Sequence, residues 1–189
     1  SAGTITIGGT GELPAWLPQS DSLLPWLRAI DNATLGLEVG GMARQAAVGL
    51  VRPLLAPFGL ADHAEAWPHE LSGGLRQRVA LLRTVALGRP LLLLDEPFGA
   101  LDALTRSQMQ DWLTGVQQRF GWSVLLVTHD VREAVILSDR VLVMTSQPAT
   151  IAAEVSIPLE RPRSSSMVAD PACAELEGRV ISALAEARR

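Results

Sequence analysis

The chain has 189 residues, 48% of them hydrophobic, with 20 acidic and 16 basic side chains and a formal net charge of −4. A chain this long buries roughly 70% of its unfolded surface, so one domain with a true core, carrying a subdomain, is expected, and the acidic balance argues against nucleic acid as a main partner. The single cysteine, Cys173, excludes an intrachain disulfide and points to a reducing compartment, while no apolar run nears the roughly 18 residues of a membrane span.

In chain order, "SAGTITIGG" lacks the basic end and apolar core of a signal peptide. Its "TITI" alternates and then meets two glycines, which predicts a short strand and a turn. "LPAWLPQ" predicts a brief strand ending at Gln19. Residues 28 to 70 are rich in Ala, Leu and Gly at imperfect helical spacing, with Pro53 and Pro57 expected to break or kink the region; it reads as a small helical subdomain. Ser72 is a natural N-cap for a helix carrying Val79, Leu82 and Val85 or Ala86, which stops at Gly88 before Pro90. "LLLLD", residues 91 to 95, predicts a fully buried strand. Met109, Trp112, Leu113, Val116 and Phe120 form one helical stripe closed by Gly121. "SVLLVT" and "RVLVM" predict two more buried strands. Between them, Asp130 and Glu133 predict a capping box. "QPAT" turns the chain into "IAAEVSI", "RPRSSS" is a loop, and a last amphipathic helix starts at Pro171 and carries Cys173, Leu176, Val180 and Leu184.

Continuous apolar strands alternating with helices imply an α/β domain with a parallel sheet. Ligands of such sheets sit beyond the carboxyl ends of the strands. Gln19, the pair Asp95 and Glu96, and the pair Thr128 and His129 all follow predicted strand ends. A carboxylate there can simply cap the next turn. Two side by side, after four leucines and before Pro97, suit phosphate chemistry better: the first to orient Mg²⁺, the second to polarise an attacking water. Ser72, Gly73 and Gly74 could be an ordinary helix start, yet bare glycine N–H groups, a hydroxyl and the positive end of a helix also make a phosphate cradle. His129 could be a packed histidine; at the same edge as Glu96 it suits a terminal phosphate or the attacking water. His63 and His69 read as surface or packing residues, the five tryptophans as core and interface, and Arg76 and Arg78 as a solvated or salt-bridged helix face.

These segments resemble those of the ATP-binding subunits of ABC transporters. "LSGGLRQR" is similar to the signature motif, "LLLLDEP" to Walker B with its catalytic glutamate, "GALD" to the D-loop, "LLVTHD" to the switch-histidine segment and "LPQ" to the Q-loop. The resemblance runs from about Gln19 to Asp130. It implies a P-loop NTPase-like ABC ATPase core with an inserted α-helical subdomain: core strands over 1–19, the helical subdomain over 20–70, core over 71–160, and a loop and helix over 161–189. It implies a head-to-tail dimer with a second ATPase subunit, sandwiching ATP. Glu96 and His129 would be catalytic. Ser72, Gly73 and Gly74 would touch ATP held mainly by the other subunit, Gln19 and Asp95 would serve Mg²⁺, and Asp102 would link the two sites. The helical segment would dock on transmembrane permease subunits at the cytoplasmic face of the membrane, with an extracytoplasmic solute-binding protein as an indirect partner. "LPQSDSLLPW" and "DEPFGALD" are most similar to importers of nitrate, sulfonate, taurine or thiamine precursors, and lean toward the pyrimidine-precursor branch.

One motif of that family does not occur. The P-loop, G-x-x-x-x-G-K-[ST], needs a lysine for the β- and γ-phosphates, and every basic residue here is arginine. "TIGGTGELP" has glycines but no cation. The resemblance places the P-loop and its helix upstream of "SAGTITI", so a shortened form of a working ATPase, with little or no activity alone, is expected. It also places the strand feeding the P-loop between "SVLLVT" and "RVLVM"; without it those strands should close up or leave buried backbone groups unpaired, at roughly 1–3 kcal/mol each. The alternative is a binding module whose Ser72-Gly73-Gly74 completes the site of a partner that owns a P-loop. Soluble repair-type ABC ATPases fit worse, because the span from Gln19 to Ser72 has no heptads and no room for a long coiled coil.

Overall fold

The computed structural model describes residues 12–146 and 149–188, with the side chains of 118–120 and 168 undescribed. The "TITI" strand, part of the "QPAT" turn and the Phe120 side chain therefore lie outside the described residues. The chain divides into two compact units, residues 1–94 with 121–125, and 95–120 with 126–189.

The first unit holds β1 (Ala15–Leu17), α1 (Ala29–Val39), α2 (Arg44–Leu55), α3 (Gly73–Ala86), most of β2 (Leu91–Asp95) and the start of β3 (Ser123–Val127). β1 runs parallel to β2, with Ala15 opposite Leu92 and Leu17 opposite Leu94. The three strands form one sheet in the order β1-β2-β3. Ser123 N–H donates to the Pro90 carbonyl at one end of β3 and Glu96 N–H to the Val127 carbonyl at the other, which sets β3 parallel to β2. β1 stops at Leu17 rather than reaching Gln19, because Pro18 has no N–H for a ladder.

α1 packs on α2 and α3, and α3 on β1. Ile30, Val51, Phe58, Leu82 and Leu94 are buried there. Gly36 permits the approach, since a Cβ on it would meet Leu87 Cδ2 at 2.7 Å. Asn32, fully buried, accepts from Leu24 N–H and donates to the carbonyls of Leu24, Leu27 and Arg28, which pins the entry to α1. Pro53 lies inside the last turn of α2 without ending it. The ring forfeits one N–H bond, that to the Gly49 carbonyl, and the helix runs only two residues further. α3 begins at the expected cap, its Ser72 hydroxyl accepting from Leu75 N–H, and Gly88 takes φ +61° just past its end.

The second unit holds α4 (Ala103–Phe120), α5 (Val131–Leu137), β4 (Arg140–Met144), β5 (Ile151–Ser156) and α6 (Pro171–Ala187). β4 and β5 form a separate antiparallel hairpin with an irregularity at Val143–Met144. One face of it buries Val143 and Val155 with Val135, Leu176 and Val180 of α5 and α6. On α4, Met109 and Leu113 are buried, as the stripe requires. Buried Arg163 donates to the carbonyls of Ser138, Ile157 and Leu159, fastening the loop before α6.

Two expectations need correction. "SVLLVT" and "RVLVM" are not fully buried: Leu125 is 56% exposed, Val127 54% and Met144 58%. Among the described residues β3 ends its sheet, and β4 packs only one face on a helix layer, so a continuous apolar run here marks strand type rather than depth. The strands expected to flank a P-loop strand do not close up. They belong to different sheets, with alternate residues exposed.

Candidate functional site

In the second unit the carboxylate pair sits where β2 gives way to a turn. Asp95 closes the strand, half-buried. Glu96 takes φ +47°, in the left-handed region that non-glycine residues avoid. Its N–H donates to Val127 at 2.8 Å and its carbonyl accepts from Gly99 N–H at 3.2 Å, so both sides of the peptide are held. Glu96 Oε1 lies 3.0 Å from His129 Nδ1, with the histidine side chain 75% exposed and the glutamate 27%. The structure thus brings together the two residues the sequence singled out as catalytic.

They line a small cleft of about 30 Å³ with Gly99, Arg106, Thr128 and Glu133. The His129 segment is hydrogen-bonded within itself. Asp130 N–H donates to the Thr128 hydroxyl at 3.0 Å, and that hydroxyl donates to Glu133 Oε2 at 2.5 Å. Asp130 Oδ1 accepts from the N–H groups of Arg132 and Glu133 and so caps α5. The expected capping box is therefore half right. The glutamate does not return to the cap's N–H directly; the Thr128 hydroxyl stands between them. Burial pushes the Glu133 carboxyl above its ordinary value, and Asp130 adds to the rise; the Thr128 hydrogen bond, Arg106 and His129 oppose it. Arg106 Nη2 donates to the Leu101 carbonyl at 3.0 Å, and its Nη1 lies 3.7 Å from Asp130 Oδ2. Glu133 Oε1 and Arg106 Nε are buried without a hydrogen-bond partner among the described residues.

Asp102 is exposed at the start of α4, where its carboxylate accepts from Thr105 N–H. That bond, first among its causes, holds the Asp102 carboxyl below the usual range. The remaining predicted site residues belong to the first unit. Ser72 and Gly73 are exposed and Gly74 half-buried at the α3 N-terminus; Gln19 is exposed just past β1. Arg83 donates to the carbonyls of Asp21 and Ser22, each at 3.0 Å, and Arg76 Nε bonds Asp21 Oδ2 at 2.9 Å. Ser22, at φ +47°, lies within that clamp.

Sequence reasoning put Thr128 at a strand end without giving it a role, and passed over Glu133 and Arg106 as parts of the cleft. The polar run "THDVRE" directly after a strand was a usable signal for the first two. Arg106, mid-helix, gave none.

As to cations, no cluster of three or more His, Cys, Asp or Glu suited to a metal occurs among the described residues. Mg²⁺ asks little of a protein, one or two carboxylates with waters and phosphates completing the shell. Asp95 at a strand end fits that need. The hydrolytic end of a nucleotide fits Glu96 and His129, but a lysine-free chain has no P-loop for the β-phosphate.

A sequence profile described as ABC transporter matches residues 10–99. The formylaminopyrimidine import ATP-binding protein ThiZ of Halalkalibacterium halodurans is 42% identical over 156 residues, which are 82% of this chain and 62% of that one. The aliphatic sulfonates import ATP-binding protein SsuB 2 of Agrobacterium fabrum is 42% identical over 192 residues, covering 98% of this chain and 70% of the relative. The chain thus spans roughly two thirds of the length of these relatives. Among solved structures, a dimeric post-hydrolysis state of the ATP-binding cassette MJ0796 bound to ADP and Pi matches with a TM-score of 0.69 and 28% identity, over 77% of this chain and 63% of that one.

Proposed function

The chain belongs to the ABC transporter ATP-binding family, and from that premise we propose that it is the ATP-hydrolysing subunit of an importer for a small solute. The observation that carries the reading is the 3.0 Å contact of Glu96 with His129 at the carboxyl ends of β2 and β3. Glu96 takes the proton of the attacking water. His129 contacts the terminal phosphate. Asp95 would hold Mg²⁺, whose charge would offset that of the phosphates. Ser72, Gly73 and Gly74, exposed at a helix N-terminus, face ATP held by a second subunit, and Asp102 links the two sites of the dimer. The helical segment 20–70 docks on a membrane permease at the cytoplasmic face, fed by an extracytoplasmic solute-binding protein. No described helix is long and apolar enough to cross a membrane. Formylaminopyrimidine and aliphatic sulfonates, named in the two relatives, are the first solutes to test.

Residues 1–189 alone are expected to show no Mg-ATP turnover, since they have no P-loop. A chimera with a strand–G-x-x-x-x-G-K-[ST]–helix segment joined ahead of Ser1 is expected to turn over. Glu96→Gln in that chimera should lower kcat about 10²–10⁴-fold, the usual worth of a general base. Turnover indifferent to Glu96→Gln would overturn the reading. The exposed Ser72 and Gly73 also favour a second reading, a module completing a partner's site. Mixing the chain with a partner that keeps its P-loop but has a disabled signature tests it: restored turnover, lost again on Ser72→Arg, supports the module.

A further inference from the structure

We propose that Glu133 is a positioning residue: through the Thr128 hydroxyl it holds the segment that carries His129 against Glu96. Four observations meet there. Glu133 is 5% exposed, an unusual place for a carboxylate on a helix as short as α5. The Thr128 hydroxyl joins Asp130 N–H on one side to Glu133 Oε2 on the other, at 3.0 and 2.5 Å. These bonds close a ring around His129, the residue between Thr128 and Asp130, and fix the backbone on both sides of it. Arg106 extends the ring by reaching Asp130 and the Leu101 carbonyl, so the "GALD" turn and the histidine segment share one anchor.

A bond made only for stability would not need a buried carboxylate. Burying a charged acceptor is costly, and a hydrocarbon of like shape often does as well. What the carboxylate offers is direction. A charge-assisted bond to a hydroxyl is short and orients it, and the oriented hydroxyl then presents a lone pair to Asp130 N–H. The charged and titratable groups facing Glu133 are Asp130 and His129 from its own segment, Arg106 from α4 and Glu96 across the cleft. The role in catalysis rests on the ATPase reading above; the hold on His129 rests on geometry alone.

The test uses isotope-labelled residues 1–189, with amide hydrogen exchange and the His129 imidazole resonances as readouts. Thr128→Val removes the bridging hydroxyl. Asp130 N–H should then exchange at least about 10-fold faster and the His129 resonances should move, while amides in the middle of α3 and α6 stay as they were. Thr128→Ser restores the hydroxyl and should restore both signals. Glu133→Leu removes the acceptor at the other end and should move the same signals. The double variant should go no further than Thr128→Val alone, since that change already removes both bonds of the hydroxyl. Wild-type signals in Glu133→Leu, or failure of Thr128→Ser to restore them, would sink the proposal. The readout needs no nucleotide, so a chimera without turnover would remove the ATPase reading while these signals still decide the positioning.

Discussion

The loop after β1 carries Gln19 and the loop after β3 carries His129, and they are held by opposite means. Around Asp21 and Ser22 the fixing groups are arginines of α3: Arg83 donates to two successive carbonyls and Arg76 to the Asp21 carboxylate. Around His129 the fixing groups are a hydroxyl and a buried carboxylate from the loop's own helix, assisted by Arg106. The first loop is held by side chains distant in sequence, with charges that stay ionised at every working pH. The second is held locally, by a group whose charge depends on pH. The difference teaches that the first should fail by truncation of an arginine and the second by titration.

The largest effect should come from Arg83→Ala. It removes two charge-assisted bonds to carbonyls, worth about 2–3 kcal/mol together, and a chain of this length then melts about 5–10 °C lower. Burial lowers the Arg83 pKa against the raising influence of Asp21, yet the guanidinium stays charged, so the loss should be the same at pH 5 and pH 8. Arg83→Lys should recover only part of it, because one ammonium cannot match a planar fork spanning two carbonyls. Thermal melts at two pH values check both statements.

Glu133→Gln probes the other loop. Burial raises the Glu133 carboxyl above its ordinary value of 4.5, so the folded state binds the proton more tightly than the unfolded chain. The associated stability is fully present below about pH 4.5 and is lost as pH rises through the raised folded value. Glutamine does not titrate and keeps an oxygen for the Thr128 hydroxyl. The difference in urea unfolding free energy between wild type and variant should therefore shift in the variant's favour from pH 4 to pH 8. A constant difference would show that Glu133 titrates alike in both states and erase the contrast between the loops.

This contrast also marks how far the sequence could be read. The carboxylate pair, the histidine, the Ser72 cap and the α4 stripe were legible because each depends on neighbours within a few positions. Strand depth was not. Apolar runs at 91–95 and 123–127 look alike, yet Leu92 and Leu94 are buried while Leu125 and Val127 are exposed, and the difference lies in which of the described strands ends the sheet. Nor was the Arg83 clamp legible, since its partners lie 61 and 62 positions away. Glu133 was found for the wrong reason: the spacing to Asp130 is that of a capping box, but Thr128 intercepts the return bond.

A smaller effect is expected at the α3 N-terminus. Ser72 caps the helix by accepting from Leu75 N–H, and Ser72→Ala should cost about 1 kcal/mol of stability. Ser72→Asp should restore the cap, and a carboxylate there also suits the helix dipole. In the module reading the same aspartate would repel a phosphate. Stability restored with complementation of the partner lost would separate capping from ligand contact at one residue.

The least effect should come from Arg76→Ala, and it sharpens the contrast most finely. Arg76 and Arg83 leave the same helix and reach adjoining residues, but Arg76 meets a carboxylate with both side chains about a third exposed, 36% and 30%. Surface pairs of that kind contribute about 0–1 kcal/mol after screening and side-chain ordering. Its Nη1 also donates to the Leu71 carbonyl at 2.8 Å, one turn back along the chain. If the loop after β1 is held chiefly through its carbonyls, Arg76→Ala should lower stability by only about 0.5 kcal/mol at low salt and by less at 0.5 M NaCl, where the Debye length is a few ångströms. The Arg83→Ala loss should change little with salt, because its acceptors are neutral. A salt-sensitive loss at Arg76 as large as that at Arg83 would mean that the Asp21 carboxylate, rather than the backbone beside it, is what α3 holds.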